Sequence, residues 1–280
     1  MNEIIQKAAI QGVNGSYHGI AAHKFFEGIR TVELIDCNTF RDVVEMVKSS
    51  PEVAGIIAIE NTIAGSLLRN HELIRTSGLT VTGEYRLRIS HCLAVLPGTK
   101  LEDIEEINSH PMALMQCESF LENFPNVRIV ERDDTATSAR MISQHNLQKH
   151  AAICGIEAAK IYGLNIIAEA IESNKHNFTR FLIIMPHELA KSFNREKNKA
   201  SLVFSLHHSV GSLSQILTVL SFYGMNLTKI QSCPLIGAEW EYLFYVDLTF
   251  SDYVRYQRAL DAVLPLAGNL KILGEYQERT

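Results

Sequence analysis

The sequence predicts an α/β protein of two lobes, followed by a smaller unit of ferredoxin-like βαββαβ order. Apolar strands alternate with helical segments through residues 1–185, and this alternation restarts near Ile89, which is typical of two lobes joined by crossovers. Residues 200–280 then show the order strand, helix, strand, strand, helix, strand. We expect parallel sheets with helices on both faces and a ligand cleft between the lobes.

The changes of pattern also predict the domain boundaries. Both lobes fall within residues 1–185, and the second lobe covers about 78–165. Residues 186–199 are polar and basic without periodicity, which is typical of a linker, and the ferredoxin-like unit occupies 200–280.

The composition narrows the class of protein. The 280 residues are 46% hydrophobic and 20% charged, as in ordinary globular proteins. A formal net charge of -5 argues against a nucleic-acid surface, and no apolar run approaches the ~20 residues that span a bilayer. The first residues lack the features of a signal peptide, so we expect a cytoplasmic location. Five scattered cysteines without a Cys-x-x-Cys pair suggest neither disulfides nor a zinc site.

The first lobe begins with a strand at 8–11, a glycine turn and a helix from His18 to Gly28. A strand, a tight turn and a helix N-terminus can bind an anion through backbone N–H groups near Ser16, although a simple turn is the alternative. A second strand at 31–35 leads to a helix that Thr39 can cap.

The next strand, 54–59, is continuously apolar and stops at Glu60-Asn61-Thr62, with Ser66 close behind. Open α/β sheets bind ligands at the carboxyl ends of such strands, so these polar residues are candidates for substrate contacts. A capping role for Asn61 or Thr62 is the alternative, and it does not exclude the ligand role.

The second lobe is predicted from a further series of short elements. His110-Pro111 ends one of its strands, because the residue before a proline avoids helix. Gln116 lies on a helix, and Asp134 or Thr135 can cap another. The predicted strands are 90–96, 107–109, 127–130 and 151–155, and the predicted helices are 101–104, 112–124 and about 134–144.

The segment Asn177-Phe178-Thr179-Arg180-Phe181 comes directly before the apolar run 182–185, which predicts a buried strand. At the start of a rigid strand, Arg180 can grip a carboxylate and Thr179 can pass a proton. The alternative is that Arg180 pairs with a structural acid and that Thr179 is an ordinary β-branched strand residue.

The last unit has a regular pattern and no cluster of catalytic residues. Such a unit suits packing against a partner or holding a small ligand. Its predicted strands are 200–206, 227–232, 242–250 and 270–274, and its predicted helices are 211–223 and 252–264.

Five of these stretches, in the same order, resemble the motifs of the prephenate dehydratase family. They are the turn 12–17, the strand end 58–62, the Ser-His-Pro stretch 109–117, the acidic turn 134–136 and the Thr-Arg-Phe signature within 177–181. The C-terminal unit, above all 226–230, looks like the regulatory ACT domain of the same enzymes. The resemblance implies two lobes of the type II periplasmic-binding-protein-like fold followed by an ACT domain, with no metal or organic cofactor. It also implies conversion of prephenate to phenylpyruvate, water and carbon dioxide in phenylalanine synthesis.

The resemblance implies that Thr179, Arg180, Glu60 and Asn61 form the catalytic group. The ring hydroxyl of prephenate leaves poorly unless it is strongly hydrogen-bonded, and Thr179 is the predicted donor. Threonine is a weak acid, so we expect hydrogen-bond assistance more than full proton release. Aromatisation drives the loss of carbon dioxide, so the protein mainly has to position and desolvate the substrate. A bare Glu60 carboxylate would repel a dianion; we expect it either to be protonated or, preferably, to hold Arg180 in place.

The other predicted site residues bind the substrate. Carboxylates are expected at Arg180 and at the N–H groups near Ser16 and Ser66, and neutral hydrogen bonds come from amide and hydroxyl side chains. For Asp134, as for Glu60, we expect either a protonated side chain or, preferably, a carboxylate that holds Arg180 and the polar network in place. His110 ranks below Thr179 as a proton donor, because its place before a proline suits a turn. The predicted substrate-binding residues are Ser16, Ser66, Ser109, Gln116, Asp134, Asn177 and Phe181.

The C-terminal unit departs from the family pattern at two places. Val210-Gly211-Ser212-Leu213 stands where the family has a Pro-Gly-Ala-Leu type of turn, and Gln231-Ser232-Cys233-Pro234 stands where it has Glu-Ser-Arg-Pro. The second change removes an ion pair and a donor fork. Phenylalanine can still bind through backbone groups, so feedback control is expected and its strength is left open. The predicted allosteric residues are Gly211, Leu213, Asn226 and Ser232.

Two other functions fit the same residues. An arogenate dehydratase performs the same chemistry on a substrate with an amino group in place of the side-chain keto group. A non-catalytic sensor of amino or organic acids would use the same ligand-binding folds, although it would need no aligned donor. ACT units pair side by side, so we expect a homodimer or a homotetramer.

Overall fold

The computed structural model describes residues 5–193, 196–207, 209–234 and 241–279. Fifteen strands occur in these ranges: β1 (Ile5–Gln11), β2 (Thr31–Cys37), β3 (Val53–Asn61), β4 (Gly65–Ser66), β5 (Thr80–Arg88), β6 (Cys92–Val95), β7 (Glu106–Ser109), β8 (Arg128–Glu131), β9 (His150–Cys154), β10 (Asn165–Ala168), β11 (Phe178–Met185), β12 (Lys199–His207), β13 (Asn226–Pro234), β14 (Glu241–Thr249) and β15 (Gly268–Tyr276).

Ten α-helices connect these strands in the described ranges: α1 (Tyr17–Phe26), α2 (Phe40–Ser49), α3 (Leu68–Ser77), α4 (Pro111–Gln116), α5 (Glu118–Leu121), α6 (Thr135–Gln144), α7 (Ile156–Ile161), α8 (His187–Phe193), α9 (Ser212–Phe222) and α10 (Tyr253–Val263). None of the helices in the described part of the chain is long and apolar enough to cross a membrane.

The strands form three sheets, which confirms the predicted fold class. The first has the order β2-β1-β3-β11-β5 with β4 on β3, and the second has the order β10-β6-β9-β7-β8. The third has the order β13-β14-β12-β15, with all neighbours antiparallel, as in a ferredoxin-like unit.

The prediction of parallel sheets was wrong, because both lobes are mixed. In the first lobe β11 is inserted between β3 and β5 and runs antiparallel to both. In the second lobe β6 is antiparallel to β9 and β10. The chain crosses from the first lobe to the second after β5 and returns at β11, so two crossovers join the lobes.

The predicted start of the second lobe at about 78 needs correction, because β5 pairs with β11 in the first sheet. The second sheet begins at β6, close to the restart of the pattern at Ile89. The segment expected as a linker contains α8, and the predicted helix 112–124 is interrupted at Cys117 between α4 and α5.

The C-terminal sheet packs directly on the first lobe. One apolar core combines Ile57, Val81 and Ile184 of the first sheet with Val203 and Leu273 of the third. The opposite face of the first sheet has its own core, in which α1 packs on alternate residues of β1, β3 and β11. The two faces of the first sheet therefore serve different neighbours.

Gly274 marks the closest approach between the first and third sheets. A Cβ at this position would overlap the carbonyl oxygen of Val81 on β5, so the two backbones pack together without an intervening side chain. Only glycine allows this contact without a shift of one strand.

We predict that Gly274→Ala destabilises the protein by about 1–3 kcal/mol, because the added methyl group overpacks a backbone contact. Urea unfolding monitored by circular dichroism measures this loss. Gln277→Ala, at an exposed position just beyond β15, is the control and should stay within about 0.5 kcal/mol of the wild type. Equal stability of the Gly274→Ala and Gln277→Ala variants would contradict the contact.

Candidate active site

Alternation along β11 decides which of its side chains reach the cleft between the lobes. Thr179 and Phe181 line a cavity on the cleft side of the first sheet. Arg180 points to the opposite face, where Leu182 and Ile184 enter the core shared with the C-terminal sheet. Successive side chains of a strand face opposite sides, so the cleft receives Thr179 without its neighbour.

A β-bulge in β3 turns Asn61 toward the same cavity. In the pairing with β11, Thr179 lies opposite Asn61 while Phe181 lies opposite Ala58, so one extra residue of β3 is accommodated. Bulges re-aim the side chains that follow them. Asn61 and Ala58 therefore both line the cavity, whereas Glu60 faces the C-terminal unit.

The cavity has a volume of about 320 Å³, which suits a small organic molecule. Both lobes contribute to its walls, and its lining among the described residues includes no Lys or Arg. The first lobe supplies Gln11, Tyr17, His18, Phe40, Ala58, Asn61, Ala64, Leu67, Thr179 and Phe181, and the second lobe with the crossover supplies Ile89, His91, His110, Met112, Ala113, Gln116, Asp133, Asp134 and Thr135.

A chain of side-chain hydrogen bonds runs from one wall of the cavity to the other. The Asn61 amide nitrogen donates to Thr179 Oγ1 at 2.9 Å and to Asn177 Oδ1 at 2.7 Å. Asn177 Nδ2 donates to Gln116 Oε1 at 2.9 Å, and His91 Nε2 lies 3.0 Å from the same oxygen. The chain links both lobes, so it fixes the cleft as well as the hydroxyl at its end.

The direction of the bond between Asn61 and Thr179 has a chemical consequence. An amide nitrogen only donates, so the threonine oxygen accepts and its own hydrogen stays available for another acceptor. Thr179 is 9% exposed and lines the cavity, so a ligand there can receive this hydrogen. The Asn61 Oδ1 atom accepts from the backbone N–H groups of Ile63 and Ala64, both at 2.9 Å, which fixes the orientation of the amide.

Tyr17 and His91 belong to this chain of hydrogen bonds, and neither was predicted from the sequence as a site residue. His91 is buried, with Nδ1 2.9 Å from the Tyr17 hydroxyl, which donates to the Ser90 carbonyl at 2.8 Å. Burial lowers the pKa of His91, although its contact with Gln116 works in the opposite direction. The signal available in the sequence was position, since His91 follows the crossover that joins the two lobes.

Arg180 does not line the cavity, so its predicted contact with a substrate carboxylate needs correction. It is 4% exposed, and its Nε and Nη1 atoms pair with Glu84 at 2.6 Å and with Asp247 at 2.5 Å. Arg180 therefore pairs with structural acids, which is the alternative interpretation of the sequence. Glu60 also leaves the cavity: it pairs with Lys229 of the C-terminal unit and lies 3.8 Å from Arg180.

Three of the predicted substrate contacts have structural partners away from the cavity. Ser16 caps α1 by accepting from the Gly19 N–H at 3.2 Å. Ser66 accepts from Lys229 at 2.7 Å, and the buried Ser109 donates to the Ile153 carbonyl at 2.6 Å. The three side chains therefore serve a helix cap, a contact with the C-terminal unit and a contact between strands.

Asp134 and His110 face each other across the second-lobe wall of the cavity. Each caps a helix: Asp134 Oδ2 accepts from the Thr137 N–H at 2.9 Å, and His110 Nδ1 accepts from the Met112 N–H at 3.1 Å. Burial raises the pKa of Asp134 and lowers that of His110, so both shifts favour the neutral forms. With both side chains neutral, this wall of the cavity presents a less polar surface to a bound anion.

The predicted allosteric residues lie on two elements of the C-terminal unit. Gly211, at a φ of 81°, precedes α9, and Leu213 lies in its first turn. Asn226 and Ser232 are exposed on β13. Among the described residues, no group of three or more His, Cys, Asp or Glu side chains could hold a metal ion.

The family model, a curated relative and a solved structure indicate the same family. The sequence model described as prephenate dehydratase matches residues 8–189. Arogenate dehydratase/prephenate dehydratase 2, chloroplastic, of Arabidopsis thaliana is 38% identical over 281 residues, which are 96% of this chain and 72% of that protein. The crystal structure of a prephenate dehydratase from Arthrobacter aurescens in complex with L-Phe has a TM-score of 0.82 and 26% identity, over 96% of this chain and 89% of that one. A structure described as GqqA, a novel type of quorum quenching acylases, has a TM-score of 0.85 and 27% identity over 98% of each chain.

His18, in the cavity wall, makes the stability of the folded protein depend on pH. Its ring packs against Phe40 and Phe181, and burial lowers its pKa from 6.5 to about 3. The unfolded chain takes up a proton near pH 6.5 while the folded protein does not, so stability falls as the pH drops below that value. We predict that, between pH 7 and pH 5, protonation of this side chain in the unfolded chain lowers the free energy of unfolding by about 2 kcal/mol.

Urea unfolding of wild type and His18→Phe at pH 7 and pH 5 measures that difference, since phenylalanine keeps the ring packing without a titrating group. Phe40→Leu is the matched control: it loses ring contact with His18 and should weaken the protein equally at both pH values. An identical pH dependence in wild type and His18→Phe would contradict the low pKa.

Proposed function

The chain belongs to the prephenate dehydratase family, and from this premise we propose that it converts prephenate to phenylpyruvate, water and carbon dioxide. The single observation that carries the proposal is the Thr179 hydroxyl, whose oxygen accepts from Asn61 and whose hydrogen is free to donate into a cavity between two lobes. A leaving hydroxyl group needs such a donor.

The proposed reaction needs a hydrogen bond to the leaving oxygen and donors that hold the substrate in place. The bond between the ring and its carboxylate breaks, and its electron pair becomes part of the aromatic ring while the ring hydroxyl departs. A hydrogen bond from Thr179 stabilises the negative charge that develops on that oxygen, and the departing hydroxide becomes water by taking a proton from the solvent. The Gln116 amide nitrogen has no partner among the described residues and is the second donor for the substrate.

The low polarity of the cavity favours the loss of carbon dioxide. Its lining includes Phe40, Phe181, Leu67 and Met112, and no Lys or Arg among the described residues. A carboxylate is poorly solvated there, while the charge of the transition state is spread over the ring and the leaving oxygen. An adjoining groove shares His110 and Asp134 with the cavity, and it is lined by Arg132 and Arg140 as well as by the acidic residues Asp36, Glu131 and Asp133.

An arogenate dehydratase is the second candidate, because a second acidic side chain, Asp133, lies in the cavity wall beside Asp134. Asp133 would attract the side-chain ammonium group of arogenate and repel the second charge of prephenate. The name of the Arabidopsis relative includes both activities, which supports testing both substrates. Turnover of each acid by the purified protein, followed by product absorbance or by mass, separates these functions. Turnover of neither would favour the non-catalytic sensor.

An acylase is less well supported, although one structural neighbour is described as such. A hydroxyl nucleophile needs an adjacent base to remove its proton. Among the described side chains, the one that hydrogen-bonds to the Thr179 hydroxyl is Asn61, whose amide nitrogen cannot accept a proton.

Three further expectations belong to the same proposal. The cellular location is cytoplasmic, and the active protein is a homodimer or homotetramer that pairs through its C-terminal units. We also propose that this unit is an ACT domain and that L-phenylalanine is its effector, which is supported by the ferredoxin-like strand order and by the L-Phe in the Arthrobacter complex.

We predict that Thr179→Val lowers kcat for the preferred substrate at least ~100-fold, because valine keeps the branched shape but cannot donate. Thr179→Ser is the matched control, since it keeps the hydroxyl, and it should retain most of the activity. Steady-state kinetics with both variants provides the measurement. Equal kcat for Thr179→Val and wild type would remove this hydroxyl from the mechanism.

We predict that L-phenylalanine inhibits the enzyme through the C-terminal unit without competing at the cleft. Gln231 and Cys233 replace a charged pair of the family motif, so inhibition should strengthen when these residues are changed to Glu and Arg. Calorimetric titration of both proteins gives the affinities. Absence of binding to either protein would refute an effector role.

A further inference from the structure

A buried polar cluster joins β11 to the C-terminal sheet directly behind Thr179. We call it the interdomain cluster, and its members are Glu84, Arg180, Lys199, Ser201, Asp247 and Tyr276. All six residues are buried, with at most 6% of their surface exposed. Two cations and two anions are therefore enclosed together, an arrangement that is stable only if the partners stay in place.

Arg180 is the centre of the interdomain cluster. It contacts Glu84 of the first sheet at 2.6 Å, and from the third sheet Asp247 at 2.5 Å and the Tyr276 hydroxyl at 3.2 Å. Ser201 in turn donates to Asp247 at 2.5 Å, and Lys199 pairs with Glu84 at 2.7 Å. The guanidinium is thus held from both sheets at once.

The charges in this cluster are strongly coupled. Burial alone would raise the pKa of Asp247, but the positive charge of Arg180 lowers it below its ordinary value. Burial likewise opposes the charge on Arg180, while Asp247 and Glu84 raise its pKa. Both groups are held as ions by each other, and removing one charge leaves the other without its main partner.

We infer that Asp247, on the C-terminal sheet, is a positioning residue for the Thr179 hydroxyl, acting through Arg180. The inference rests on the proposed function of Thr179. Adjacent residues of one strand share a backbone, so a displacement of the Arg180 side chain shifts the peptide that carries Thr179. A shift of about 1 Å at a reacting group can reduce the rate ~100-fold.

The C-terminal unit is therefore part of the catalytic apparatus even though none of its described side chains lines the cavity. Its sheet acts as the clamp on the back of β11. Any ligand or partner that moves the C-terminal sheet against the first lobe would alter the position of the hydroxyl without entering the cleft.

Asp247→Asn tests this inference, since it keeps the shape and removes the charge. We expect kcat to fall ~10- to 100-fold with KM changed less than ~3-fold, because the binding walls of the cavity are not touched. Tyr245→Phe is the matched control: Tyr245 lies on the same strand and donates across the same interface to Glu72 at 3.0 Å, but it does not contact Arg180. Its kcat should equal that of the wild type, and equal losses in both variants would mean that docking of the sheets alone is involved.

The double variant Asp247→Asn with Thr179→Val separates positioning from general damage. If Asp247 acts through the hydroxyl, its substitution should change the residual kcat of Thr179→Val less than ~2-fold, since effects on one functional unit are not additive. A full additional loss in the double variant would overturn the inference. Ser201→Ala, which removes the 2.5 Å hydrogen bond to Asp247 but no charge, serves if Asp247→Asn does not fold, and the same non-additivity is expected.

Amide hydrogen exchange provides a readout that does not depend on turnover. In Asp247→Asn we expect faster exchange at β11 than in Tyr245→Phe, because the strand loses its clamp. If the wild-type protein turns over neither substrate, the proposed function fails, while this comparison still decides whether the interdomain cluster orders β11. Unchanged exchange at β11 in Asp247→Asn would contradict the clamp.

Discussion

Side chains on β11 alternate between a cavity without Lys or Arg in its described lining and a buried ion cluster, and the rest of the structure depends on this division. Thr179 faces the cleft, and Arg180 faces the C-terminal sheet. One strand thereby carries a hydroxyl that must be placed with precision and a charge that cannot leave its partners without a large penalty. The ion cluster fixes the strand from behind, and the hydrogen bond from Asn61 fixes the hydroxyl from the side.

The fold supplies what this division requires. Insertion of β11 between β3 and β5 gives it neighbours on both edges, and the bulge in β3 brings Asn61 to the cavity while Glu60 joins Lys229 on the other side. Because the two crossovers carry His91 and Asn177, the polar chain through Asn177, Gln116 and His91 ties the second lobe to the first. Lobe geometry and hydroxyl position are thus coupled.

Much of this could be predicted from the sequence, because long apolar strands and their polar ends are strong local signals. The strand 54–59, its end at 60–62 and the strand after Phe181 were predicted on such grounds, and Thr179, Asn61, Gln116 and Asp134 do line one cavity. The roles of those residues in the reaction stay predictions. The ferredoxin-like order of the last unit was also correct, since its pattern is regular.

What failed depended on contacts between distant segments. Arg180 was grouped with Thr179 as a substrate contact, although the alternation of a strand already separates their side chains. Arg180 pairs with Glu84 and Asp247, which lie far from it in sequence. Lys229, which is also distant in sequence, pairs with Glu60 and donates to Ser66. His91 has no motif that sets it apart from other buried histidines. Only the pairing of β5 with β11 and the docking of the third sheet reveal these roles.

A crystal structure with an unreactive ring diacid bound in the cleft tests the central claim most directly. We predict the ring hydroxyl of the ligand within about 3.2 Å of Thr179 Oγ1, with Arg180 still paired to Glu84 and Asp247. A guanidinium turned into the cleft and bound to a ligand carboxylate would contradict the division of roles along β11.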